Sequence, residues 1–209
     1  MARAETRPPA DIPQPALRVD QGKARDCLRR LNIHKQAPVL ALAPGAAYGP
    51  SKQWPPDFFA AVAKRYIKQG WSVWIFGAQS DRPVADKIAA DCGDDQHVLN
   101  LCARTRLEET VDLLAETRLL LSNDSGLMHI GAAVGVPVVS IYGSTSPDYM
   151  PPLTSDKAVL YHRIACSPCW QKTCRYGHYD CLRKITPDEA IKACERLVKE
   201  PSHGWRGLK

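Results

Sequence analysis

The feature that most constrains this chain is a regular alternation of short apolar runs with segments of helical spacing. "PVLALAP" (38–44), "WSVWIFG" (71–77), "HVLNL" (97–101), "RLLLSND" (118–124) and "VPVVSIYG" (136–143) read as strands, and "AVLYH" (158–162) as a further one. Residues 55–70, 81–93, 106–117 and 125–135 carry apolar side chains at helical intervals, as do 20–33 before the first strand and 186–200 after the last. Punctuation agrees: Asp20 and Thr186 sit where N-caps belong, Glu189 completes a capping box, and Pro83 falls in a first turn. Strand and helix alternate about five times, which predicts an α/β fold with a doubly wound, mostly parallel, Rossmann-like sheet. In such sheets ligands bind beyond the carboxyl ends of the strands.

Composition bounds the rest. The chain has 209 residues, 44% hydrophobic and 24% charged, which suits one large or two small globular domains. A net charge of +6 fits an anionic partner such as a nucleotide or a phosphorylated glycan, although the basic residues are scattered. No apolar run approaches the roughly 20 residues of a membrane span. The start, "MARAETRPPADIPQP", lacks the apolar stretch of a secretory signal, so a cytoplasmic location is expected. Residues 1–37 read as a Pro-rich linker or tail plus one helix, 38–200 as the folded domain with a Cys-rich loop at 163–184, and 201–209 as a tail.

Four strand ends carry polar chemistry. "APGAAYGPSKQWPP" offers Gly45 and Gly49 for close approach, the hydroxyl of Ser51 and the charge of Lys52, just before a helix start that attracts anions. "FGAQSDRP" places Asp81 either as a helix cap or as an acceptor for ribose hydroxyls. "CARTRLEE" places Thr105 as a cap, with Glu108 in the box position, or its backbone against a base edge. "SNDSGLMHIG" is the strongest signal. Asp124 ends a strand, Ser125, Gly126 and Leu127 open a helix whose first N–H groups bind anions, and His129 lies four residues beyond Ser125 on the same face. A Ser–His–Asp relay is discounted, because there is no GxSxG elbow and the three residues are too close in sequence.

Taken in order, "PGAAYGPSKQWP", "SNDSGLMHIGAAVGVPVVSIYGSTSP" and "CSPCWQKTCRYGHYDCL" closely resemble glycosyltransferase family 9, and within it the ADP-heptose:lipopolysaccharide heptosyltransferases of type II. The resemblance runs from about residue 38 to 200. It implies an inverting GT-B enzyme that needs no cofactor, of which this chain is the C-terminal, donor-binding half. Lys52, with Ser51 nearby, would neutralise the donor diphosphate, the Thr105 segment would contact adenine and Asp81 would hold ribose. Asp124 would hold the heptose hydroxyls, and Ser125, Gly126, Leu127 and His129 would complete the pocket; Lys52, Asp124 and His129 are the residues assigned to catalysis. The acceptor would be heptose-Kdo-lipid A, met at the cytoplasmic face of the inner membrane.

The family's acceptor domain, of roughly 150 residues, has no counterpart ahead of residue 38. The chain is therefore expected to be a fragment or truncated product that binds ADP-heptose and transfers nothing unaided.

Cys166, Cys169, Cys174 and Cys181, with His178 beside them, leave two readings open: a structural zinc held by thiolates, or packed thiols bracing a long loop. Two other functions compete with the transferase. One is a non-catalytic nucleotide-binding module sharing the same pocket. The other is a zinc-knuckle nucleic-acid binder, ranked last because no aromatic stripe lies on a basic face; nucleic acid is not an expected partner.

Overall fold

A computed structural model describes residues 13–93 and 96–199; the tail at 201–209 and the first twelve residues lie outside the described residues. Six strands form one sheet in the order β3-β2-β1-β4-β5-β6. They are β1 (Val39–Ala43), β2 (Ser72–Ile75), β3 (Val98–Asn100), β4 (Leu119–Asn123), β5 (Val138–Tyr142) and β6 (Lys157–Tyr161). Every pairing is parallel, so the expected mostly parallel sheet is wholly parallel.

The helices are α1 (Gln21–Arg30), α2 (Pro56–Ile67), α3 (Arg82–Asp91), α4 (Leu107–Ala115), α5 (Gly126–Ala133), α6 (Asp180–Arg183) and α7 (Pro187–Lys199). Residues 163–184, expected as loop throughout, thus end in a short helix. Alternate residues of each strand feed the two faces. Leu40, Leu42, Leu119 and Leu121 join a core with α2, α3, α6 and α7. Val39, Ala41, Ala43 and Leu120 join a second core with α1, α4 and α5. Burial on both faces is why these strands read as continuous apolar runs.

Helix α1 belongs to this second layer. Asp20 caps it through Gly22 N–H at 2.9 Å, its own N–H donates to Asp112 Oδ1 at 2.8 Å, and Arg30 pairs with Glu109 on α4 at 2.9 Å.

Two expected caps move. The Asp81 carboxylate does not cap α3; it reaches back to accept from Ala78 N–H at 2.9 Å. At α4 the cap is Arg106, whose N–H donates to Glu109 Oε2 at 2.8 Å, so the box lies one residue beyond the expected Thr105–Glu108 pair. The Thr105 hydroxyl instead pairs with that of Thr110 at 2.8 Å.

The box at α7 forms as read. Thr186 N–H and Oγ1 donate to Glu189 Oε2 at 2.7 and 3.0 Å, and Glu189 N–H returns a bond to Thr186 Oγ1 at 3.3 Å. The Thr186 N–H, chiefly, holds the Glu189 carboxyl below its ordinary range despite some burial, with His162 adding to the effect. A depressed folded-state pKa gives stability that is full above the unfolded value and disappears as pH falls through the folded one. Glu189→Ala is therefore expected to lower stability by about 1 kcal/mol at neutral pH, with the gap narrowing in acid. Urea melts at pH 7 and pH 3 check this; a gap that is constant between them contradicts it.

Candidate functional site

Strand order reverses between β1 and β4, so their following loops diverge and leave a crevice at the sheet's carboxyl edge. Asn123, the last residue of β4, holds this junction together. It is fully buried, its amide donates to Pro44 O beyond β1 at 2.6 Å, and its Oδ1 accepts from Trp54 N–H at 3.1 Å. Sequence reasoning assigned Asn123 no role. The available signal was a polar residue ending an otherwise apolar buried strand.

Beside it, Lys52 Nζ lies 2.6 Å from Asp124 Oδ2, with both side chains less than a tenth exposed. Thr145 Oγ1 donates to the same carboxylate oxygen at 2.6 Å, and the Lys52 ammonium sits 5.0 Å from the Tyr48 ring centroid. Lys52 arrives on a 3-10 turn, Pro50–Lys52, entered through Gly49 at φ 151°. A Cβ on Gly49 would stand 2.5 Å from Lys172 O, so only glycine fits there. From sequence, Thr145 reads only as part of a polar turn at 143–147, and Tyr48, though inside the "PGAAYGPSKQWP" motif, carries no assigned role.

A cavity of about 400 Å³ lies at the same edge of the sheet. Ala46, Ala47, Asp81, Thr105, Ser125 and Gly126 are among the residues lining it, with Leu107, Leu127 and Ile130 supplying apolar wall. Chain connectivity joins the two features: Asp124 precedes Ser125, and Tyr48 follows Ala47. Gly45 lets Asp81 approach, since a Cβ there would be 2.3 Å from the Asp81 carboxyl carbon. Burial first, then the charges of Asp81 and Asp86, pushes the nearby Cys102 thiol up to about 12, so it stays neutral. At the start of α5, Met128 N–H donates to Ser125 O at 3.2 Å, while Gly126 and Leu127 occupy the first helical positions, whose N–H groups have no acceptor within the helix.

The structure thus brings together Lys52, Asp124, Ser125, Gly126, Leu127, Asp81 and Thr105 along one rim. His129 is exposed on α5 and does not line the cavity. Ser51 is occupied by the fold: its hydroxyl contacts Ser144 Oγ at 2.9 Å and donates to Gln171 O, and the residue is 2% exposed. It anchors the loop that carries Lys52 and is not available to a ligand.

Cys166, Cys169, Cys174 and Cys181 are free thiols. Burial first, then the charges of Cys166, Cys169 and Cys174, pushes the Cys181 thiol up to about 11. Among the described residues, however, no three His, Cys, Asp or Glu side chains are grouped to hold a metal. Cys174 differs from its neighbours. Partial burial raises its pKa, but backbone N–H groups of Tyr179, Tyr176, Gly177 and His178 outweigh this and lower it.

The clamp and the thiols can each be tested. Asn123→Asp would set a carboxylate oxygen against the Pro44 carbonyl and is expected to cost about 3 kcal/mol in denaturant melts; an unchanged midpoint contradicts the clamp. Iodoacetamide at neutral pH should alkylate Cys174 first and leave buried Cys102 and Cys194 unmodified, as peptide mapping would show. Modification of Cys194 before Cys174 contradicts that order.

Comparison with known proteins agrees with the fold and the motifs. The profile of glycosyltransferase family 9 (heptosyltransferase) matches residues 2–180. Lipopolysaccharide heptosyltransferase 2 of Salmonella typhimurium is 33% identical over 201 residues, covering 91% of this chain and 56% of that protein. Lipooligosaccharide heptosyltransferase 2 of Haemophilus influenzae is 35% identical over 198 residues, covering 90% and 57%. The structure of Escherichia coli ADP-heptose LPS heptosyltransferase II superposes with a TM-score of 0.82 at 30% identity, covering 93% of this chain and 56% of that one. The chain spans a little over half the length of these relatives. Among the described residues no helix is long and apolar enough to cross a membrane. With the family profile covering most of its length and the buried lysine–aspartate pair set at the switch point of a GT-B-type sheet, this chain belongs to glycosyltransferase family 9, the heptosyltransferases.

Proposed function

We propose that this chain is the donor-binding half of an inverting heptosyltransferase of type II, which transfers heptose from ADP-heptose to the inner core of lipopolysaccharide. The observation that carries this reading is the buried Lys52–Asp124 pair immediately before the first turn of α5, whose Ser125, Gly126 and Leu127 line the cavity. ADP-heptose, which the Escherichia coli relative carries in its name, divides naturally along that rim. The adenosine enters the cavity, with the base along Thr105, Leu107 and Ile130 and the ribose hydroxyls toward Asp81. The diphosphate meets the Gly126 and Leu127 N–H groups and the Lys52 ammonium, and the heptose hydroxyls turn to Asp124.

Chemically, breaking the bond to the anomeric carbon moves negative charge onto the leaving ADP. A fixed ammonium and a helix N-terminus are set where that charge grows, which is the most effective place for them. Asp124 and the Tyr48 ring hold Lys52 in position before the donor arrives, so little reorganisation remains for the reaction. The acceptor hydroxyl must lose a proton to a base. We assign that base, and the main recognition of the lipid A-Kdo-heptose acceptor at the inner membrane's cytoplasmic face, to the other half of the family's length. Because Lys52 and the helix terminus carry the charge stabilisation, this scheme gives the four loop thiols no part in transfer. His129 takes no part in donor binding.

Calorimetric titration of the chain with ADP and UDP tests this reading. ADP should bind at least about tenfold more tightly than UDP, and Lys52→Ala should weaken ADP by about tenfold or more, the worth of one charge-assisted hydrogen bond. Asp124→Asn removes the carboxylate paired with Lys52 and is expected to change ADP affinity less than Lys52→Ala does, because its assigned ligand contacts are to the sugar. UDP preferred over ADP, or Lys52→Ala without effect, overturns the assignment.

A further inference from the structure

Large aromatic side chains in this fold are mostly interior: Trp54, Trp74, Tyr66, Tyr142, Phe59 and Phe76 are all buried. Trp170 and Tyr149 do the opposite. Trp170 is 41% exposed and Tyr149 76%, and their rings meet edge to face with centroids 5.5 Å apart. Trp170 also sits at φ 55°, a left-handed backbone that bulky residues rarely adopt and that costs free energy. Burial of the indole does not offset this cost.

The backbone around Trp170 is nevertheless tightly fixed. Cys169 and Trp170 N–H both donate to Ser144 O at 3.1 and 2.8 Å, and Trp170 O accepts from Tyr48 OH at 2.6 Å. Ser167 Oγ donates to Gly143 O at 2.6 Å. Those bonds involve main-chain groups at residues 169 and 170, so any side chain at position 170 would be held equally well. What the tryptophan adds is an exposed aromatic face on a fixed backbone.

The same partners lead to the charged pair. Tyr48, bonded to Trp170 O, covers the Lys52 ammonium, and Thr145, next to Ser144, bonds Asp124. Polar groups adjoin the aromatic pair through the chain: Arg163 bonds Asp148, the residue before Tyr149, at 2.6 Å, and its guanidinium lies 5.6 Å from the Tyr161 ring. An aromatic surface bordered by a carboxylate and a guanidinium suits a saccharide. The C–H face of a pyranose ring packs on the aromatic faces while its hydroxyls bond to the charged border.

We propose that Trp170 and Tyr149 form a subsite for a pyranose ring of the acceptor glycan, next to the position assigned to the donor heptose. The acceptor's identity rests on the donor-site reading above; the saccharide platform rests on the exposed pair itself.

The chain holds five tryptophans, and the Trp170 indole N–H resonance can be assigned by its loss in Trp170→Phe. Three separate titrations then read the two sites: ADP for the donor cavity, a lipid-free, heptose-terminated core oligosaccharide for the platform, and maltose as an unrelated sugar. The core oligosaccharide should shift the Trp170 resonance with a millimolar Kd. Tyr149→Ala should weaken that binding about fivefold, the contribution of one aromatic contact, with the Trp54 and Trp74 indole signals unmoved as a check on folding. No shift of Trp170 up to about 20 mM oligosaccharide, with ADP still bound, overturns the platform and leaves the donor reading standing. Equal shifts with maltose, or equal binding by Tyr149→Ala, also overturn it. Oligosaccharide binding at Trp170 without any ADP binding overturns the donor reading and keeps the platform.

Discussion

Everything at the sheet's carboxyl edge depends on the junction where β1 and β4 lie side by side and their chains depart in opposite senses. A wholly parallel sheet leaves the last backbone groups of each strand without a ladder partner along this edge. Asn123 answers that need with one side chain, donating to the loop after β1 and accepting from the segment that delivers Lys52. Its amide has both a donor and an acceptor, which neither Asp nor Leu can supply. The crevice is therefore a consequence of strand order, and its floor is set by a neutral hydrogen-bonded clamp before any charge is placed in it.

The charges stand beside that clamp and are compensated by their own partners. Burying an ammonium and a carboxylate costs several kcal/mol for each ion unless geometry and extra hydrogen bonds compensate. Here Asp124 receives Lys52, Thr145 Oγ1 and a place on backbone that donates to Ile141 O. Removal of either partner would strand the other, so the pair is weak evidence for stability and stronger evidence for chemistry. A diphosphate entering beside Lys52 competes with Asp124 for the same ammonium. In the proposed scheme the pair is a held reserve of positive charge, released as the donor supplies its own anion.

How much of this was legible in the sequence varies with the range of the interaction. The strands were legible because parallel strands buried on both faces are uninterrupted apolar runs, and β1 and β4 are buried at every position. The α7 cap was legible because Thr186, Pro187 and Glu189 interact within one turn. The α4 cap was not, because Thr105 and Arg106 both stand three residues before a glutamate and composition favours the threonine. Packing decides instead: Thr105 turns to Thr110 at the cavity wall, and Arg106 N–H takes Glu109. Ser51 shows the harder limit. Its sequence neighbourhood is that of an anion-binding loop, yet its hydroxyl is bound by Ser144 and Gln171, some 93 and 120 residues along the chain. No local pattern states whether a hydroxyl faces a ligand or a distant loop.

That distant loop explains why a long, thiol-rich segment follows the last strand of the sheet. Gln171 and Lys172 receive Ser51, Trp170 receives Tyr48, and residues 167–170 hang from Gly143 and Ser144. The loop thus touches the segment after β1 and the segment after β5 at once, bridging the strands on either side of β4. Lys52 is held from below by Asp124 and from behind by this bridge. A long-range brace of this kind lets the lysine turn be short and glycine-entered, with the cost of its φ of 151° met by contacts made far away in sequence. Because Trp170 and Lys52 hang from the same brace, the aromatic face and the ammonium are fixed relative to each other. Two sugars brought to one rim for group transfer require that kind of fixed spacing.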